Sequence, residues 1–389
     1  MSQIAVAFRP DRAPLTTTSS GLAALLADIH ARRTEFDRQQ QVSADVVERL
    51  REIGIYRSMV ARTFGGDEQS PAEFCRVIEA ISAANGSVGW VASFGAAAAY
   101  LAGLPEPTLR RIYANGPDII FAGTMFPPQA ARRVPGGLCV SGRWPFGSGS
   151  TGADLIGVGI TIEGDETGGL PRVAVMPPHQ VRIESNWDVI GLRGTGSHDL
   201  VVADVEVAED WTFIRGAGST VDSPVYRYPA LALAAQVLAV VGLGVARGAL
   251  DGVIALSAGR ASITGAPRLA ERPHVQAAIA QREAELRSAR AFFYEATETV
   301  WAEVCAGHKP SVENVALLRL ASTHAARTGA EVTRGVFSLT GTAAIYQGHS
   351  LATALADATV VAQHAFLGEG TIQNAGRALL GLPTPPGFP

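Results

Sequence analysis

The sequence predicts an α+β chain in three parts: a helical domain over residues 1–116, an antiparallel β domain over 117–220 and a four-helix bundle over 221–389. Three observations predict it. Apolar residues recur at helical spacing up to about residue 115, alternate as in strands between about 117 and 215, and return to helical spacing in long segments after about 225. With 389 residues, 47% of them hydrophobic, the chain can bury two or three cores.

In the first part, "GLAALLADIHARRTEFDRQQ" (21–40) and "SADVVERLREIG" (43–54) carry apolar residues three and four apart, with Gly54 placed to cap the second helix. Ser70-Pro71 suits the start of the next. In the middle part, "GLCVSGRWPF", "LIGVGITIEG", "PRVAVMPP", "VRIESNW" and "DLVVADVEVAED" are short, β-branched or alternating, and separated by Gly, Pro and acidic turns. The third part predicts helices over 228–258, 272–305, 310–338 and 349–380, joined by short loops as in an up-down bundle, followed by an extended tail "LPTPPGFP".

Charge and composition exclude several function classes. The formal charge is −4 and no basic block stands out, so neither nucleic acid nor a membrane surface is an expected partner. The run "YPALALAAQVLAVVGLGVARGAL" (228–250) is long enough to cross a bilayer, but its Ala, Gly and Arg247 suit a buried bundle helix. The N-terminus lacks a basic region leading into an apolar core, so no signal peptide is expected and the chain reads as cytoplasmic. Cys75, Cys139 and Cys305 show no metal-ligand or redox spacing and are expected to be reduced core residues; no metal is expected. Gly242, Gly244 and Gly248 imitate a dinucleotide-binding turn, yet the apolar period runs helically through them and no parallel βαβ alternation surrounds them. Close helix contact is the expected use of these glycines, and no nicotinamide site is expected.

Four motifs narrow the picture: "ANGSVGWV" (84–91), "VSGRWPFGSG" (140–149), "NWDVIGLRGTGSHDLVVADVEV" (186–207) and "ADATVVAQHAFLGEGTIQNAGRALLG" (356–381). In this order and in these domains, the chain resembles the acyl-CoA dehydrogenase fold and, within it, the flavin-dependent monooxygenase branch. That branch includes the hydroxyphenylacetate hydroxylases, dibenzothiophene monooxygenases and the indole and indole-3-acetate monooxygenases. The resemblance implies a homotetramer that binds reduced FAD or FMN between the β domain and the bundle. It further implies a separate NAD(P)H:flavin reductase, O2 as co-substrate, a C4a-(hydro)peroxyflavin, and oxygen transfer to a small aromatic such as indole or indole-3-acetate.

The resemblance also assigns residues. Ser148 matches the hydroxyl residue that hydrogen-bonds the flavin around N5, where a fixed hydroxyl in a dry site slows peroxide loss. Gly147 and Gly149 beside it are expected to let the backbone approach the ring. From the residues alone, Ser148 could equally satisfy a turn, and Ser150 and Thr151 are nearby hydroxyls. His364, expected within the last long helix on one face with Asp357 and Val361, matches a histidine near flavin C4a and the substrate. An imidazole titrating near neutrality could assist oxygen activation or accept a substrate proton.

Trp187 matches an aromatic that shapes the pocket, and Arg193, Thr195 and Ser197 belong to the loop that follows, which is suited to flavin; Trp90 and Phe126 are further pocket candidates. Arg260 and Thr340, Gly341 and Thr342 fall where dehydrogenase relatives reach a neighbouring subunit's cofactor. Two positions depart from the pattern: Ala356 stands where relatives carry Arg before Asp357, and Asn85 where they carry Asp.

The rival expectation is an acyl-CoA dehydrogenase with its base in "GEGT" (368–371), but two helical turns beyond Asp357 fall at His364 and Ala365, not at Glu369. The residues also leave open N- or S-oxygenation of an amino sugar or thiophene by the same flavin chemistry, and a catalytically silent flavin-fold protein.

Overall fold

The computed structural model describes residues 14–165, 169–259 and 267–389; Arg260 lies outside the described residues. The first part contains α1 (Ser20–Gln39), α2 (Ala44–Ile53), α3 (Pro71–Ala84), α4 (Gly86–Ala92), α5 (Ala98–Leu101) and α6 (Glu106–Ile112). Its helix ends follow from local chemistry. Gly54 closes α2 at φ 97°, and Ser70 with Glu73 forms a reciprocal cap at the start of α3. Asn85 starts α4 by accepting the Val88 N–H at 3.0 Å, which a side-chain amide oxygen does as well as the Asp carboxylate expected there from the resemblance.

The β domain contains β1 (Phe121–Ala130), β2 (Arg132–Val134), β3 (Gly137–Trp144), β4 (Leu155–Thr161), β5 (Arg172–Met176), β6 (Arg182–Glu184), β7 (Asp199–Ala208) and β8 (Thr212–Ile214). They form two four-stranded sheets, β1-β4-β5-β8 and β2-β3-β7-β6. All pairings are antiparallel except β1 with β4, because the chain crosses through the second sheet between them. Val140, Ile156, Val158, Leu200 and Val202 share the core of this domain, and the buried Trp144 joins it by donating its indole N–H to the Gly159 carbonyl at 2.8 Å. The β1–β4 register breaks between Thr124 and Gln129, so residues 125–128 leave the ladder and are free to face the bundle.

The third part contains α7 (Pro224–Arg227), α8 (Ala230–Ser257), α9 (Pro273–Cys305), α10 (Val312–Ser338), α11 (Ser350–Ala362) and α12 (Glu369–Leu379). Where the sequence predicts one helix over 349–380, the chain breaks at 363–368. His364 turns to extended backbone (φ −63°, ψ 137°), a short 3-10 turn follows, and Gly368 opens α12. The apolar period survives this break because α11 and α12 both lean on α10, so the pattern alone does not show it.

Helix α8 is the centre of the molecule, packed by α3, α10 and α11. It is long and apolar enough to cross a bilayer, but its most apolar stretch is 83% buried inside the protein. The dinucleotide-like glycines lie within this helix. A Cβ on Gly244 would stand 2.4 Å from the Glu79 carbonyl oxygen, and one on Gly248 2.3 Å from that of Ala83, so they allow α3 to seat against α8. Cys75 and Cys139 are buried as expected, whereas Cys305 ends α9 at the surface and is exposed, so it is not a core residue.

The packing predicts opposite outcomes for two glycines of one helix. Gly244→Val should destabilise by about 1–3 kcal/mol or more through overpacking. Gly252→Ala, whose new carbon would meet only Leu351 at 3.8 Å, should leave the melting temperature unchanged or raise it. Thermal unfolding of both variants checks this.

Candidate active site

A cavity of about 710 Å³ opens between the β domain and the bundle. It is walled by α4 and the turn after it, residues 121–127 of β1, the serine loop 145–149, the loop 187–197, Arg215 after β8, the N-terminal third of α8, and the break between α11 and α12. Its size falls in the range of small-molecule and cofactor sites. Ser148, Thr195, Ser197, Trp187, Trp90, Phe126 and His364 all line it, so these residues, far apart in sequence, share one cavity.

The serine wall has a fixed polarity. Ser148 Oγ lies 2.6 Å from Ser197 Oγ, which lies 2.7 Å from Thr195 Oγ1, and Thr195 donates to the Leu192 carbonyl at 2.9 Å. Each hydroxyl has one proton, so Ser197 donates to Thr195 and Ser148 donates to Ser197. Ser148 is left with acceptor lone pairs towards the cavity, which suits an N–H donor such as N5–H of a reduced flavin. The flanking glycines act differently from the expectation. The missing Cβ of Gly147 faces Leu200 and that of Gly149 (φ +70°) faces Phe94, so they pack the loop onto protein rather than open it to the cavity. Their N–H groups donate to His198 and Thr195 carbonyls at 2.9 and 3.0 Å, locking the two loops together. Ser150 is buried but does not line the cavity.

The 187–197 loop is held from three sides. The buried His198 accepts the N–H groups of Asn186 and Trp187 on Nδ1, and Ser87 accepts the Gly194 N–H. Asp357 of α11 accepts the Leu192 N–H at 2.6 Å, which pins a residue in left-handed backbone (φ 51°). Burial pushes the Asp357 carboxyl up to about 7, the Leu192 N–H pulls against this, and Asp37 adds to the rise. Arg193 does not line the cavity; it donates to the Val189 carbonyl and pairs with Asp188, bracing its own loop. It is therefore not placed to contact a flavin in the cavity of its own subunit.

His364 stands at the helix break, not on a helix face with Asp357 and Val361. Its Nδ1 accepts the Phe366 N–H at 3.2 Å, and its ring centroid lies 5.8 Å from that of Trp90 and 5.4 Å from that of Phe366. Burial, assisted by the Arg215 guanidinium, pushes its pKa down to about 4. The imidazole is therefore neutral at physiological pH and, with Nδ1 occupied, carries its proton on Nε2. This corrects the expectation of a base titrating near neutrality: His364 is a fixed hydrogen-bond donor.

Thr340, Gly341 and Thr342 sit at the end of α10 and do not line the cavity of their own chain. Residues in or near the site that escape sequence reasoning include His198, Phe94, Tyr100, Phe146, Phe366 and Arg215. Only His198 has a local signal, as a polar residue at the entry to a strand directly after the hydroxyl-rich loop.

No Asp or Glu lines the cavity among the described residues. Glu369 is exposed on α12 and pairs with Arg327 at 3.1 Å, so it cannot remove a proton from a molecule in the cavity. Nor do the described residues contain a cluster of three His, Cys, Asp or Glu that could hold a metal. A helical domain, a β domain and a bundle thus close around an apolar cavity that, among the described residues, offers no carboxylate to serve as the base of an acyl-CoA dehydrogenase.

Known relatives agree. Residues 23–111 match the acyl-CoA dehydrogenase N-terminal domain and residues 236–369 the acyl-CoA dehydrogenase C-terminal domain. The chain is 53% identical to an indole-3-acetate monooxygenase of Pseudomonas putida over 97% of its own length and 98% of the relative's. It is 31% identical to the oxygenase component of an FADH2-dependent resorcinol hydroxylase of a Rhizobium species, over 69% and 70%. Among solved structures, a Paenibacillus dibenzothiophene monooxygenase in complex with FMN and indole shares the fold, with a TM-score of 0.81, 21% identity and coverage of 95% and 98%. The chain belongs to the acyl-CoA dehydrogenase family, in its flavin-dependent monooxygenase branch.

The buried Asp357 predicts a pH signature. Its folded pKa lies above its unfolded value, so its contribution to stability is present below about pH 4 and is lost as pH rises to about 7. Asp357→Asn, which cannot ionise, should gain stability relative to wild type across that window and keep a constant offset above it, as read by denaturant unfolding at successive pH values.

Proposed function

We propose that the chain is the oxygenase component of a two-component system that oxygenates a small indolic aromatic, indole-3-acetate first among them. Its cofactor is reduced FAD or FMN delivered by a separate NAD(P)H:flavin reductase, and O2 is the oxygen source. The observation that carries this reading is that Ser148, an acceptor, and His364, an Nε2–H donor, face one apolar cavity that no carboxylate of the described residues enters. The identity to the Pseudomonas indole-3-acetate monooxygenase supports the substrate.

The cavity fits a flavin by its volume and by the acceptor that Ser148 presents. When bound, reduced flavin supplies the electrons and the site for oxygen activation. The chain's own residues then have separable tasks. Ser148, fixed through Ser197 and Thr195, retains a proton on the cofactor's ring nitrogen. His364 offers Nε2–H to a developing oxyanion or to the oxygen being transferred. Trp90, Phe94, Phe126 and Phe146 exclude water and bind a flat aromatic. An amino sugar would leave several hydroxyls without partners against this lining.

The same reading includes a homotetramer in the cytoplasm. Ile345 and Tyr346 are 63% and 72% exposed just after Thr340–Thr342, which gives this corner an apolar surface that a neighbouring subunit would cover. The free cysteines suit a reducing compartment.

The test mixes the protein with reduced flavin, O2 and a panel of indolic and other aromatics, and measures oxygenated product by mass together with hydrogen peroxide. Product from indole-3-acetate is expected; anaerobic electron transfer from an acyl-CoA to the bound flavin would overturn the reading. Ser148→Ala and His364→Ala should stay folded while the ratio of product to hydrogen peroxide falls about tenfold or more, the scale of one lost hydrogen bond in a buried site. Because His364 is neutral well below pH 6, the wild-type ratio should show no inflection near pH 6.5 that disappears in His364→Ala.

A further inference from the structure

Arg215 is an unexplained cation in an apolar cavity. It follows β8, its backbone N–H is fixed to the Pro171 carbonyl at 3.0 Å, and its side chain lines the cavity. The guanidinium lies 4.7 Å from the Phe366 ring centroid and 5.7 Å from that of Phe126. A second arginine, Arg319 of α10, is 5% exposed, lies 5.4 Å from the same Phe366 ring, and has an Nε without a hydrogen-bond partner.

Neither guanidinium has a carboxylate partner among the described residues, although many arginines of the fold are paired with acids. Burial lowers the pKa of both, and the charge of Arg215 depresses Arg319 and His364 further. Two like charges around one ring, Arg319 buried and Arg215 partly so, are costly unless an anion joins them. No Asp or Glu among the described residues lines the cavity to supply one.

Resting on the functional reading above, we infer that Arg215 binds the carboxylate of the substrate, so that this cavity selects aryl-acetate anions over neutral indoles. The placement is chemically coherent. Arg215 presents a planar fork of donors that matches a carboxylate, and Arg319 behind Phe366 adds positive potential without reaching the cavity. Phe366 touches both Arg215 and His364, so an anion held at Arg215 leaves an aromatic system one methylene away beside the His364 ring. The acid-free lining has the same consequence, since any Asp or Glu here would pair with Arg215 and repel the substrate.

Equilibrium dialysis with indole-3-acetate and its neutral isostere indole-3-acetamide, in the absence and presence of oxidised FMN, tests the assignment. Wild type should bind the acid more tightly than the amide. Arg215→Gln should weaken the acid by about 30-fold or more while the amide stays within about threefold, the asymmetry of removing one partner from a buried charge pair. Arg215→Lys should recover part of the preference, and an unchanged melting temperature shows the variants fold.

Equal wild-type affinity for acid and amide, an Arg215→Gln variant that keeps the preference, or a loss that falls on FMN instead of the acid would each overturn the inference. Wild type that prefers the acid in binding but forms no oxygenated product would sustain the carboxylate site and refute the oxygenase reading, so the two failures are distinguishable.

Discussion

The site depends on one buried hydrogen bond, from the Leu192 N–H to the carboxyl of Asp357. It is the point at which the bundle takes hold of the loop that carries Trp187, Thr195 and Ser197, and it holds Leu192 in a left-handed conformation that a leucine does not adopt unaided. Gly191 makes the approach possible, because a Cβ there would stand 2.4 Å from the backbone of Ala356. The Leu192 carbonyl, fixed in this way, ends the hydroxyl chain that starts at Ser148 and also receives the Trp187 indole N–H. This contact between two domains, together with the bonds that His198 and Ser87 make to the same loop, sets the donor and acceptor pattern of a cavity wall. A carboxyl buried for this purpose loses its ordinary acidity.

The electrostatics of the cavity follow from the same scarcity of polar groups. Among the described residues, its lining has a neutral imidazole, a series of hydroxyls and one cation, with no acid. Burial and Arg215 together keep His364 unprotonated, so the histidine serves by position and by its N–H rather than by exchanging protons in the physiological range. The described lining offers no carboxylate base of the kind a dehydrogenase needs, in keeping with the monooxygenases to which the chain is similar. The difference between the two chemistries lies in a few side chains on a shared scaffold.

Much of the site is legible before the fold is known, and for identifiable reasons. Ser148 and His364 lie in motifs whose residue order is distinctive, and Asn85, although a departure from relatives, sits where any side-chain oxygen would cap α4. The motif finds His364 but periodicity misplaces it, since the apolar pattern runs across the break at 363–368 while the helical backbone does not. Its acidity is also misjudged from sequence, because a pKa is a property of surroundings, and Arg215 lies far from it along the chain. Arg215 itself gives no signal. An arginine after a short strand is ordinarily a solvated residue, and only packing shows that its neighbours are Phe126 and Phe366 and not acids.

By itself, the sequence determined the periods of apolar residues, and hence the succession of helical, β and helical parts, the buried nature of α8 and the glycines that let α3 rest on it. Those features are local or depend on one face of one element, so spacing encodes them. Only the tertiary structure decided which way the hydroxyls of Ser148, Ser197 and Thr195 point, that His364 is a neutral donor, and that Arg215 lines the cavity without a carboxylate partner among the described residues. Each of these depends on groups brought together from different domains, and proton positions and charges answer to such neighbours rather than to residue order.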